Sequence, residues 1–138
     1  MANWSGTART NYVLPENVEE LEKVAKRIGL RVIRKDDRIG FVAETDDGGW
    51  PTNVHDEEIS DDVEVDISTM LMPHIKEGEV LVLMEVGSEK SCYVSGYAQA
   101  HVRNGDVCRI VSISLNDIYA KAATEFSVDI NSITDATY

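Results

Sequence analysis

The chain has 138 residues, a mass of 15.3 kDa and a formal net charge of -12 from 13 basic and 25 acidic side chains. That length suits one domain of ordinary size, and with 43% apolar and 28% charged residues the composition excludes a disordered chain and a membrane-embedded one. The longest apolar run, 80–84, is far short of the roughly 20 residues a membrane helix needs, and the opening residues lack the basic region and apolar run of a secretion signal, so a cytoplasmic protein without membrane partners is expected.

In chain order, residues 7–14 read as a first strand. Pro15 suits the first turn of a helix, in which Val18, Leu21, Val24, Ala25 and Ile28 recur at helical spacing. Glu16, Glu19 and Glu20 near its start and Lys26 and Arg27 near its end complement the helix dipole, and Gly29 is the natural stop. Residues 30–35 and 39–45 read as two strands joined by Asp36-Asp37-Arg38, and Asp46-Asp47-Gly48-Gly49 is loop chemistry. The stretch 52–61 has no clear period. Strict alternation in 62–67 places Asp62, Glu64 and Asp66 on one strand face and three aliphatic residues on the other. Ser68 is then expected to cap a short turn over 69–72, ended by Pro73.

Residues 80–86 are almost wholly apolar, which predicts a central strand covered on both faces. A turn at 87–90 leads to a long strand, 91–102. Asn104-Gly105 predicts a two-residue hairpin loop into a returning strand, 107–114, pairing Val102 with Val107 and His101 with Cys108. Strand parity then puts Val94, Ala98, Ala100 and Val102 on the face of Val107 and Val111, with Tyr93 and Tyr97 on the other. It also puts Cys92 and Cys108 on opposite faces, so two reduced, packed thiols are expected rather than a bridge. A last helix begins at Leu115 or Asn116, with an apolar stripe of Ile118, Tyr119, Ala122, Ala123 and Phe126. The order predicts an α+β fold, an antiparallel sheet of about five to six strands with two helices packed on it. It forms one domain over 1–126 with an acidic insert at 44–66, followed by a tail, 127–138, that is either mobile or docks on a partner.

The charge is concentrated in that insert. Residues 44–66 hold ten acids, and no Lys or Arg falls between Arg38 and Lys76. Just before lies a basic stretch, with Lys23, Lys26, Arg27, Arg31, Arg34, Lys35 and Arg38. An acidic surface of this kind repels nucleic acid and attracts basic partners, unless the two regions neutralise each other or the acids form a solvated loop. Alternate side chains of a strand sit about 6.6–6.8 Å apart and DNA carries a charge about every 3.4 Å per strand, so the row of Asp62, Glu64 and Asp66 is a loose imitation of a phosphate backbone.

No catalytic constellation emerges. His55, His74 and His101 form no zinc pattern with the cysteines, no phosphate-binding glycine loop is present, and Val94-Ser95-Gly96 lacks the leading glycine of a nucleophile elbow. His101 beside Cys108 is the only candidate nucleophile pair, with nothing to orient the base. Asp46, Asp47, Asp56, Glu57, Asp61 and Asp62 offer oxygens for a hard cation, but not at EF-hand spacing, so neither metal nor cofactor is assigned. Trp4 and Trp50 flank turns and are expected to fold back on the core, with an exposed anchor at Trp50 as the functional alternative.

The opening Asn3-Trp4-Ser5-Gly6-Thr7-Ala8-Arg9-Thr10-Asn11-Tyr12 resembles the start of small proteins of bacteria, phages, plasmids and integrated elements. Thr45-Asp46-Asp47-Gly48-Gly49-Trp50-Pro51, the run from Gly78-Glu79-Val80 to Glu89-Lys90, and Asn116-Asp117-Ile118-Tyr119-Ala120-Lys121-Ala122 resemble further parts of the same proteins, so the likeness spans most of the chain. It carries a genomic context rather than a mechanism, and mobile elements often encode small acidic inhibitors of host defence, DNA mimics and anti-CRISPR proteins among them.

The resulting expectation is a non-enzymatic acidic binding protein that inhibits a nucleic-acid-binding host complex of the CRISPR or restriction type. Its partner is a basic surface of a host protein or ribonucleoprotein, with no direct contact to nucleic acid. Asp46, Asp47, Trp50, Asp56, Glu57, Glu58, Asp61, Asp62, Glu64 and Asp66 are the expected contact residues. Two other readings stand beside it: a metal-dependent enzyme or cation-binding protein using the carboxylates of 46–66, and an oligomeric accessory protein, such as a homodimer, pairing through its sheet edge or tail.

Overall fold

The computed structural model describes residues 4–56, 59–90 and 92–136. In chain order these form β1 (Trp4–Thr10), α1 (Val18–Arg27), β2 (Leu30–Lys35), β3 (Arg38–Ala43), β4 (Asn53–Asp56), β5 (Asp61–Glu64), α2 (Ile67–Leu71), a 3-10 turn (Met72–His74), β6 (Val80–Glu89), β7 (Tyr93–Asn104), β8 (Val107–Ser114), α3 (Asp117–Phe126) and a second 3-10 turn (Ile130–Ser132). Six strands make one antiparallel sheet in the order β2-β3-β1-β6-β7-β8, and β4-β5 make a separate hairpin. The fold is therefore α+β, as the sequence reads.

The register sorts the side chains. Leu81 and Leu83 of β6, Ala8 and Thr10 of β1, and Ile39 and Phe41 of β3 share one face. On it α1 and α2 pack, and Leu21, Ala25, Ile28, Ile67, Leu71 and Ile75 close a single cluster over Phe41. The stripe expected on α1 is the buried one. Asn17 caps it, its side chain accepting a hydrogen bond from the Glu20 N–H at 3.2 Å; Pro15 lies ahead of the helix, bridged to Ile75. β1 ends at Thr10, earlier than expected, because Asn11 changes role. Its side-chain oxygen accepts from the Val82 N–H at 2.9 Å and its amide donates to the Val80 carbonyl at 3.0 Å, so a side chain continues the ladder where the backbone departs.

Several expectations fail in the C-terminal half. β6 does not turn at Gly87 but runs on to Glu89, because the Trp4 indole lies over Gly87: a Cβ there would sit 2.3 Å from the ring. Gly87 is thus a close-approach glycine within a strand, not a turn signal. β6 is covered on one face only; Val80, Met84 and Val86 on the other are about half exposed. The β7–β8 loop is Gly105-Asp106, one residue later than expected, with Gly105 at φ +63°. The register accordingly moves by two, so His101 faces Ile110 and Cys108 faces Arg103, which dissolves the His101–Cys108 pair. A shift of two preserves parity, so the expected division of faces holds. Both thiols are free, and Cys108 is exposed rather than packed. α3 carries its apolar stripe, but none of its residues is buried.

Candidate acidic hairpin

The acidic segment begins with a built turn. The Asp47 carboxylate accepts from the Thr45 hydroxyl at 2.9 Å and from the Gly49 N–H at 3.0 Å, while the Asp47 carbonyl accepts from the Gly6 N–H at 2.7 Å. The Gly49 N–H, then the Thr45 hydroxyl, hold the Asp47 carboxyl below its ordinary pKa. Asp47 therefore fixes the turn, whereas Asp46 points to solvent. The next peptide is tied to the sheet, the Trp50 N–H donating to the Glu85 carboxylate at 2.7 Å. The Trp50 ring packs half-buried against the core cluster, as Trp4 does over Gly87, and its buried Nε1 has no partner among the described residues.

From this base the chain runs out along β4 and returns along β5. Val54 opposes Val63, and His55 opposes Asp62. Val54 packs on the core, Val65 is buried in it, and the Val65 N–H donates to the Thr52 carbonyl at 2.8 Å, so the stem is held from below. Asp61, Asp62 and Glu64 are all exposed. Their one ion-pair partner among the described residues is His55, whose Nδ1 lies 3.2 Å from Asp62. Glu57 and Glu58 lie outside the described residues, as does the side chain of Asp56.

The expected row of three carboxylates is a row of two. β5 ends at Glu64, and Asp66 is the N-cap of α2, accepting from the Ser68 hydroxyl at 2.9 Å and the Thr69 N–H at 3.3 Å. Burial raises the Asp66 pKa, but these hydrogen bonds and the neighbouring His101 outweigh it and the net shift is downward. Asp66, not Ser68, is the cap, and Pro73 sits inside the following 3-10 turn.

Of the basic stretch, Lys23 pairs with Glu20 and Arg34 with Glu22, while Arg38 pairs with Glu79 beside β6 at 2.5 Å. Only Arg31 reaches the acidic segment, 3.0 Å from Glu44 at its start. The hairpin carboxylates are therefore not neutralised by these partners. Among the described residues no three His, Cys, Asp or Glu side chains come together in a way that would hold a metal ion, and no helix is long and apolar enough to cross a membrane.

Beneath the hairpin, His101 is buried (5% exposed), with Nε2 3.2 Å from the Gln99 side-chain oxygen. Burial pushes its pKa below the ordinary 6.5, only partly countered by Asp66. The unfolded chain then binds more protons as pH falls below that value, so His101 is expected to make stability decline from about pH 6.5 downward. Urea denaturation between pH 7.5 and 5 should show this slope, and H101Q should flatten it. An equal slope in the variant would assign it to other groups.

Comparison with known proteins finds no counterpart: no family model, no curated protein and no solved structure matches the chain.

Proposed function

We propose that the protein is a non-enzymatic acidic binding protein, of the inhibitory kind that mobile elements carry, which docks its β4–β5 hairpin in a basic groove of a nucleic-acid-handling host complex. The observation that supports this reading is the display of Asp61, Asp62 and Glu64 on a stem anchored by Val54 and Val65, with no Lys or Arg paired to them among the described residues. A fixed frame lowers the ordering cost of binding, and unpaired carboxylates keep their field for a partner. Asp62 and Glu64 are two residues apart on one strand face, about 6.7 Å, or twice the 3.4 Å of helix axis per charge on a DNA strand. Asp46 at the base adds to the same negative surface, and Asp56, Glu57 and Glu58 add their charge to this segment of the sequence. Asp47 and Asp66 contribute charge while serving the turn and the helix cap.

The test compares wild type with the D61N/D62N/E64Q variant in capturing nucleic-acid-handling complexes from a bacterial lysate. Duplex DNA is added as competitor and retention is followed across a salt gradient. Wild type is expected to retain such a complex, to lose it to added DNA and to release it with salt. The variant should bind at least about tenfold more weakly, as loss of close interfacial charge pairs does. Equal retention by both proteins, or retention indifferent to DNA, would sink the proposal.

A further inference from the structure

The sheet has a second face, and across β6, β7 and β8 none of its described side chains is buried. By the register this face carries Val80, Met84 and Val86 from β6, Val94 from β7, and Val111 and Ile113 from β8. Their exposures run from 46% to 67%. Valine and methionine side chains at such exposure, side by side on three adjoining strands, form a continuous apolar patch of a kind that soluble monomers rarely display.

A monomer of 15.3 kDa is expected to expose about 7,100 Å². This chain exposes 9402 Å². The excess of about 2,300 Å² is shared between this face, the rest of β8, α3, the acidic hairpin and 127–136, all largely exposed, and it exceeds the roughly 800 Å² that each partner buries in a standard interface.

The lack of carboxylates on this face and the exposure of β8 and α3 beside it fit a second copy as the occupant. Two chains of net charge -12 repel, so they can meet only where carboxylates are absent. On the β6–β8 part of this face the one charged side chain is Arg109. The acidic hairpin lies on the opposite, helix-bearing face, tied there through Trp50 to Glu85 and through Val65 to the core. Face-to-face stacking therefore turns both hairpins outward. The β1–β3–β2 part of the face is basic, with Arg9, Arg31, Lys35 and Arg38, which confines the contact to the apolar part. α3 leaves on the same side: Leu115 packs over the open-face side of Gly96, 3.2 Å from where a Cβ would stand. Ile118 (60% exposed) and Phe126 (71%) are thus free to close on whatever lies against the sheet.

We infer that the protein is a two-fold homodimer in which the β6–β7–β8 open faces of two copies stack, each clasped by the α3 of the other. This contact does not use the acidic hairpin and stands or falls independently of it.

Sedimentation of wild type between 1 and 50 µM is expected to give twice the 15.3 kDa of the chain. The V86E/V111E variant is expected to sediment as a monomer with an unchanged far-ultraviolet spectrum. Ile110 is as exposed, at 63%, but lies on the other face of β8, and I110E is expected to stay dimeric. Should the double variant lose its spectrum, M84K makes the same comparison with one charge and is expected to weaken self-association at least tenfold. A wild-type mass other than twice the chain's overturns the inference. So does dissociation by I110E with V86E/V111E still dimeric, which would place the contact elsewhere on β8.

Discussion

Replacing Phe41 with alanine is expected to lower stability by about 3–5 kcal/mol, the usual cost of removing a large side chain from a core that cannot collapse around the gap. Phe41 is 0% exposed and sits on the helix-bearing face of β3, in one cluster with Leu21 and Ala25 of α1, Ile28 at its C-cap and Leu71 of α2. Its N–H is held by the Thr10 hydroxyl at 2.9 Å, so backbone relaxation into the cavity is opposed by the neighbouring strand. Urea midpoints at one fixed protein concentration measure the loss, with an unchanged slope showing that the same surface is still exposed on unfolding. A loss below about 1 kcal/mol would mean that the helical layer is not held through this residue.

The second large effect is expected at Gly48, where alanine should cost about 3 kcal/mol. Gly48 has φ +85°, and a Cβ there would stand 1.8 Å from the Gly6 carbonyl oxygen. The backbone must therefore withdraw, which breaks the 2.7 Å bond from the Gly6 N–H to the Asp47 carbonyl and loosens the turn that Asp47 and Thr45 build. Left-handed strain of about 1–3 kcal/mol and an unmade hydrogen bond of similar size set the magnitude. Differential scanning calorimetry should show the melting temperature falling by about 10 °C. Because the turn is the base of the acidic hairpin, the variant should also lose protection from hydrogen exchange at Trp50 before it does at Leu81. A variant melting with wild type would show that the loop does not press on β1.

What the sequence discloses about this fold depends on how local the deciding contact is. α1 is legible in full because spacing, flanking charge and the Gly29 stop all act within one segment. The division of faces across β7 and β8 is legible because parity survives a register slip of two. The slip itself is not: Asn104 and Gly105 together suggest the loop, but only Gly105 takes a positive φ, and Glu77, accepting from its N–H, fixes it there. Gly87 looks like a turn residue because the Trp4 indole that requires a glycine comes from a strand over 80 positions away. In 62–67 alternation is equally compatible with a strand and with a strand followed by a cap, so the Asp66 side chain could not be placed without the helix it caps. The charge of the candidate site was visible in composition. Which of its acids are free, and which fix a turn or a helix, was not. The uncovered face is not legible in the sequence for a further reason: an apolar strand inside a protein and one inside an interface read alike.

The position of β1 has a consequence for how the molecule forms. β2 and β3 make one local hairpin, and β6, β7 and β8 make a local meander; in the strand order only β1 lies between them. Its partners on β6 are distant, with Trp4 opposite Glu89 and Thr10 opposite Leu83. Two blocks rich in short-range pairings can assemble early, but joining them requires closing a loop of about 80 residues, an entropic toll met before the pairing is rewarded. During synthesis β1 is made well before β6 and gains its full set of neighbours only once residues 80–89 have emerged. The rate-limiting event in reaching the native state is then expected to be insertion of β1 between two preformed halves.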